Sequence, residues 1–312
     1  MNELQKTILE IYSCFEDICS RHGFRFFAIG GTAIGTARHQ GFIPWDDDLD
    51  VAMPIEDFKQ FVQCAPSELP PWYSLVTPRD RPHYSYIFIK IEDTRTTCIE
   101  KKYTRGNLID CYTGVWIDIM PMAGVPNPGI DRLRFLARIS SCAMNNQALR
   151  LPASSLVRAR AKIRGLMKAP LYGRIEKHYY SDKWLELLEQ HGFDEEDYTG
   201  YTWSTPSKRW LPATVSRDIF KHTSQEGTAA GRKLENLIFP KKWFAEYVDM
   251  PFESTMMRMP SAWDEYLTAQ FGDYMKPPKA TQQETHSCFV DLSHPVEEYR
   301  AGIRDIPESY WD

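Results

Sequence analysis

Leu4, Ile8, Ile11, Phe15 and Ile18 recur at steps of four and three, which puts them on one stripe of a helix over residues 3 to 21, ended by His22-Gly23. The run from Arg25 to Ile29 is aromatic and β-branched and predicts a buried strand that stops at Gly30-Gly31. Thr32 then begins a short helix that reaches His39. From Asp48 to Met53 acid and apolar positions alternate with period two, so the acids share one face of a strand and the apolar residues the other. Pro54 ends that strand, and a helix starts at Ile55. Further strands are predicted at 72–77, 84–91 and 115–119, each bounded by Pro, Gly or Asp.

The middle of the chain changes character. From about 130 to 190 the pattern is helical, interrupted at Pro152 and Pro170. Residues 132 to 177 hold eleven Lys or Arg against one acid, Glu176, so this segment is expected to present a cationic face to an anionic membrane surface or a polyanionic acceptor. A polar stretch at 200–232 follows, then strand-like segments at 234–239 and 253–259 and a late helix at 261–271. There is no internal repeat and no low-complexity segment.

Composition narrows the class. The 312 residues suffice for a full core, and 43 % hydrophobic with 25 % charged residues is ordinary soluble usage. A formal net charge of -5 argues against a nucleic-acid binder, whose footprint is a strongly basic domain. The seven cysteines are odd in number and scattered, with no C-x-x-C pair and no His at zinc-finger spacing, so free thiols are expected and zinc is not. The N-terminus has acids where a signal peptide has bases and an apolar core, so a cytoplasmic protein is expected, with peripheral contact at the inner face of the membrane through the basic segment.

Three features point to one chemistry. At Gly30-Gly31 the absent side chains permit backbone N–H groups to approach a phosphate, with a helix N-terminus behind them. Asp48 and Asp50 project from one strand face and converge on a hard cation such as Mg²⁺, which takes a few carboxylates plus substrate phosphates. Asp118 is a lone acid in the apolar run Val115 to Met120, where a charge costs several kcal/mol unless it is paired or bound to metal. A neighbouring strand offering a third carboxylate to the same cations accounts for it, and the set then matches a two-metal phosphoryl-transfer site. The plainer reading of D-D-D-L-D is a solvated turn. An EF-hand is a poorer reading still, because counting from Asp46 the sixth position is Val51 in place of Gly and the twelfth is Asp57 in place of Glu.

The stretch G-G-T-A-I-G-T-A-R-H-Q-G-F-I-P-W-D-D-D-L-D-V-A-M-P, residues 30 to 54, resembles the signature of the LicD family, the phosphocholine and phosphoalditol transferases related to the fukutin proteins. F-I-K-I-E-D-T-R-T-T, G-V-W-I-D-I-M-P-M-A-G-V-P and L-T-A-Q-F-G-D-Y-M-K-P-P followed by His286 are similar to the family as well, with Phe271 where the family often has Tyr. The basic helices in the middle match no part of the family pattern and are read as a helical insertion; the resemblance implies an α+β fold, a nucleotidyltransferase-like mixed β-sheet core flanked by helices. Its parts would be a catalytic core over 1–128, a basic helical insertion over 129–200 and a C-terminal part over 201–312 that completes the core and the site. It implies transfer of a phosphoryl-linked group from a CDP-activated donor to a hydroxyl of a glycan or teichoic-type polymer, releasing CMP, with Mg²⁺ or Mn²⁺ as cofactor.

Carried onto this chain, the resemblance makes Asp48 and Asp50 metal ligands and Asp118 a third ligand or the base for the acceptor hydroxyl. Gly30, Gly31 and Thr32 would face the donor phosphate, and Asp46, two residues before the acid pair, would shape the site from outside. Arg38 and His39 are candidates to hold a phosphate, and each reads equally as part of a surface pair. Lys90, at the end of a strand-like run, is placed to reach a leaving phosphate or is simply solvated. Trp45 either stacks on a base or walls the site. Asp273 and His286 belong to the C-terminal motif. Two other classes share parts of this pattern: a glycosyltransferase, whose D-x-D pair also holds Mg²⁺ on a nucleotide-sugar, and a catalytically silent nucleotide-binding scaffold. The glycine pair and the separate acid at 118 weigh against the first, and the presence of all three acids against the second.

Overall fold

The computed structural model describes residues 1–105, 108–150, 175–201, 238–278, 288–307 and 310. Helix α1 (Glu3–His22) opens with a reciprocal cap between Asn2 and Gln5 and ends at Gly23 in the left-handed region, φ 69°. Its apolar stripe, including Ile8, Ile11, Tyr12, Phe15 and Ile18, is fully buried in the main core. Then come β1 (Phe27–Ala28), α2 (Gly30–His39), β2 (Asp50–Pro54), α3 (Ile55–Glu68), β3 (Tyr73–Val76), β4 (Ile89–Glu100), α4 (Lys101–Arg105) and β5 (Thr113–Val125). After them lie α5 (Ile130–Arg150), α6 (Tyr179–Glu189), β6 (Tyr198–Gly200), β7 (Ile238–Pro240), β8 (Tyr247–Phe252), β9 (Thr255–Pro260), α7 (Trp263–Phe271), β10 (Cys288–Asp291) and α8 (Val296–Arg300).

The architecture is α+β, built on a mixed sheet in the order β1-β2-β5-β4-β10, with β3 also on β4, β6 on β5 and β7 on β6. β2 and β5 run parallel, and the other ladders of this sheet are antiparallel. β5 is the spine: Ile117 and Ile119 are fully buried on one face, while Trp116 and Asp118 lie on the other. β8 and β9 form a separate hairpin fastened to α1 by the Tyr12 hydroxyl, which donates to the Met256 carbonyl at 3.0 Å.

Two expectations change. The strand expected over 84–91 begins at Ile89 and runs on through the polar stretch to Glu100. Residues 84–88 are irregular, and Tyr84, Tyr86 and Phe88 pack ring against ring, with Tyr86 and Phe88 stacked at 4.5 Å. Aromatic self-packing substitutes there for a ladder. The basic segment is also not one solvated face, since Arg150 is 1 % exposed and donates to Asn146, the Arg81 carbonyl and Ser181. Burial lowers the Arg150 pKa to about 10. Residues 151–174, which hold most of the expected basic stretch, lie outside the described residues. Within the range expected as an insertion, β6 pairs with β5 and so belongs to the sheet. Among the described residues no helix is long and apolar enough to cross a membrane.

Candidate active site

The site forms where β1 ends, β2 begins and β5 passes beside them. In the parallel ladder Asp50 stands opposite Asp118, and in the antiparallel ladder on the other side of β5 Lys90 stands opposite Asp118. Paired residues in a sheet project to the same face, so Asp50, Asp118 and Lys90 form one row across three strands. The pairing continues one residue before β2, because the Leu49 carbonyl accepts the Asp118 N–H at 2.9 Å. Leu49 is fully buried, while Asp48 and Asp50 on either side of it are half-exposed, as the alternation requires.

Asp118 has a partner that the sequence did not suggest. Lys90 Nζ donates to Asp118 Oδ1 at 2.5 Å, with the two side chains 4 % and 12 % exposed. The ammonium also lies 4.1 Å from the ring centre of Trp116, two residues before Asp118 on the same face. Burial raises the Asp118 carboxyl above the usual carboxylate range, and Lys90 opposes that rise. Lys90 is therefore not solvated; it is the second residue of β4, near the start of that strand where the sequence put a strand's finish, and its ammonium is paired with Asp118.

The glycine pair works differently from a bare phosphate loop. Gly30, with φ 57°, opens α2 directly, and the helix starts two residues earlier than the expected Thr32. A β-carbon at Gly31 would stand 2.7 Å from Asp46 Oδ2, and one at Gly30 would stand 3.4 Å from Asp50 Oδ2. The glycines thus admit two carboxylates against the first turn of α2, where the positive end of the helix dipole favours negative charge. Thr32 supports the strand: its Oγ1 accepts the Asp50 N–H at 2.8 Å, while the Asp50 carbonyl accepts the Ile29 N–H at 3.2 Å.

Other polar side chains that hold this arrangement escaped the sequence reading. The Gly30 N–H donates to the Tyr266 hydroxyl at 3.1 Å, the Tyr266 and Tyr201 hydroxyls are 2.7 Å apart, and Tyr201 donates to Gln270 Oε1 at 2.7 Å. With the Tyr201 proton on Gln270, the middle bond takes its proton from Tyr266, so the chain has one direction. Gln5 of α1, 3 % exposed, donates to the Asp46 carbonyl at 3.0 Å and the Ile43 carbonyl at 3.4 Å, pinning the turn that carries Trp45 and Asp46. A glutamine on an apolar helix stripe was the available signal. Tyr266 carried none, because aromatic residues abound in this chain.

Not every expected residue gathers here. Arg38 and His39 sit in the last turn of α2, about 12 Å along its axis from Gly30. The Arg38 guanidinium donates to the Tyr274 carbonyl at 2.5 Å and to His39 Nε2 at 3.0 Å, and burial lowers the pKa of both residues. Trp45 is half-buried. Asp273 is exposed in the turn after α7, beside the residue that Arg38 holds. His286 lies outside the described residues.

A family model described as "LicD/FKTN/FKRP, nucleotidyltransferase domain" matches residues 23–110. The chain is 27 % identical over 294 residues to the lipopolysaccharide cholinephosphotransferase LicD of Haemophilus influenzae, a match covering 92 % of this chain and 95 % of that protein. An uncharacterized protein of Rickettsia typhi is 35 % identical over 65 residues, which is 20 % of this chain and 21 % of that one.

Proposed function

We propose that the chain is a LicD-type phosphotransferase that moves phosphocholine from CDP-choline to a hydroxyl of a cell-surface glycan or teichoic-type polymer, releasing CMP. The observation that carries the reading is the in-register row of Asp50, Asp118 and Lys90 beside the glycine-opened helix. The acceptor oxygen forms a bond to the choline-bearing phosphorus. The bond from that phosphorus to the bridging oxygen breaks, and CMP leaves with the oxygen and its electron pair.

The donor set fits a hard cation, since it consists of carboxylate oxygens on one face of a strand whose backbone is fixed by Thr32 and Ile29. Asp48 and Asp50 would hold Mg²⁺ or Mn²⁺, and the ion would supply positive charge at the transferring phosphoryl oxygens. Asp118 suits a different task. Lys90 already balances its charge, which weakens it as a cation ligand, while burial raises its affinity for a proton. It is the group to take the acceptor hydroxyl proton. Trp116 and Phe88 wall the ammonium of Lys90 and keep water from the pair. A cytidine nucleotide donor would place the reaction in the cytoplasm, at the inner face of the membrane.

The test is CMP release from CDP-choline, CDP-ethanolamine, CDP-glycerol and CDP-ribitol, with Mg²⁺ and again with EDTA. Release that is fastest with CDP-choline and stops with EDTA is expected. Turnover of nucleotide-sugars with no CMP release from any of the four would replace this reading with a glycosyltransferase.

A further inference from the structure

Three side chains from two helices meet on the surface away from the acidic row. His22 is the last residue of α1, and Cys64 and Glu68 are one helical turn apart at the end of α3, on one face by their i, i+4 spacing. One ligand atom from each, an imidazole nitrogen, the Sγ and a carboxylate oxygen, all lie within 4.8 Å of one another. His22 Nε2 is 2.6 Å from Glu68 Oε1, and Arg21 Nη1 holds the other carboxylate oxygen at 2.6 Å. The His22 ring is stacked on Phe24 at 5.0 Å and 9°, which fixes its plane. Glu68 and His22 are thus each held by a neighbour outside the trio, as metal ligands need.

We propose that His22, Cys64 and Glu68 form a zinc site that clips the end of α1 to the end of α3, with water in the fourth position. The set is mixed nitrogen, sulfur and oxygen, which suits zinc; magnesium prefers oxygen alone. Bonds of about 2.0 to 2.3 Å put tetrahedral ligand atoms about 3.3 to 3.8 Å apart, which lies between the 2.6 Å of the His22–Glu68 contact and the 4.8 Å that bounds the trio. The ion takes the place of the proton shared between His22 and Glu68 Oε1, while Arg21 keeps Oε2. The thiol gives up its proton to solvent and binds as thiolate. Sequence spacing hides the site because His22 and the C-x-x-x-E pair belong to separate helices.

Cobalt(II) distinguishes this site from the acidic row, because a thiolate ligand gives a near-ultraviolet charge-transfer band that carboxylates do not give. The full chain is titrated with Co²⁺ in excess Mg²⁺, alongside Cys64→Ser and His22→Ala. Cys64 Sγ lies 3.7 Å from the Phe61 carbonyl, a contact that serine can also make, so Cys64→Ser is expected to fold. The expected result is one equivalent of band in wild type, none in Cys64→Ser and at least tenfold weaker binding in His22→Ala. Zinc should raise the melting temperature of wild type and leave that of Cys64→Ser unchanged. Absence of the band, or the same band and affinity in either variant, overturns the site. CMP release plays no part in this readout, so its outcome is separate from that of the proposed reaction.

Discussion

Lys90→Met separates the two forces on Asp118. Burial raises that carboxyl, and the ammonium at 2.5 Å opposes the rise. An opposite charge at close range lowers a carboxyl pKa by about 1 to 3 units. With the two side chains 4 % and 12 % exposed, solvent screens the pair little, so removing the ammonium lets burial raise the carboxyl further. Methionine fills the space over Trp116 without the charge. The acid limb of the pH–rate profile should therefore move up, and each unit of that movement is about tenfold less turnover at a pH below the new limb. Stability carries the same sign. Folded Asp118 binds its proton more tightly than the unfolded chain does, so stability falls as pH rises from the ordinary carboxylate pKa through the raised folded value. The variant should extend that fall to higher pH, by about 1.4 kcal/mol for each further unit. The assay is CMP release from about pH 5 to about pH 9, with urea unfolding at the same pH values. Activity that recovers at high pH supports the coupling. An unmoved acid limb with a lowered plateau refutes it and assigns Lys90 to the substrate phosphate.

Asp48→Asn and Asp50→Asn should each lower turnover about a thousandfold while leaving thermal stability unchanged or slightly higher, since each removes like-charge repulsion along with a cation ligand; more than a tenth of wild-type CMP release in both would remove the metal assignment. Gly31→Ala forces the Asp46 carboxylate to retreat by about 0.7 Å, the gap between 2.7 Å and ordinary contact at 3.4 Å. Because alanine favours a helix by about 0.5 to 1 kcal/mol, melting should change little while turnover falls about tenfold or more, and full activity would mean that Asp46 does not need its place. Tyr266→Phe leaves the Gly30 N–H without its acceptor, at a cost of about 1 to 3 kcal/mol. It should raise the Mg²⁺ concentration for half-maximal CMP release, and an unchanged Mg²⁺ dependence would confine Tyr266 to the core.

Much of the site was legible because it is written in local grammar. The period-two run at Asp48 to Met53 and the glycine pair are neighbours in the chain, and the structure joins them by the Thr32 and Ile29 hydrogen bonds to Asp50. Asp118 could be singled out as an acid in an apolar strand, but its partner could not. Lys90 becomes its neighbour through the register of β4 on β5, and register is a property of the sheet. The strand over 89–100 was truncated for a related reason: its middle is polar, yet Glu92 and Asp93 are buried, Glu92 against Arg81 and Asp93 against Arg95. Paired charges defeat a hydrophobicity pattern. Tyr266 and Gln5 reach the site from α7 and α1, over sequence separations at which no periodicity speaks.

The position of β5 bears on which stretch of chain folds autonomously. The region of family similarity, 23–110, contains β1 to β4 and stops before Thr113. Without β5, the β1–β2 ribbon and the β3–β4 ribbon share no ladder, and each exposes an edge that the whole protein covers. A fragment cut at those limits would therefore lack both its central strand and Asp118, and would be prone to pair with other copies of itself. The cooperative unit is at least the stretch from α1 through β5, and any excision meant to yield a stable minimal enzyme has to begin with the helix that carries Gln5.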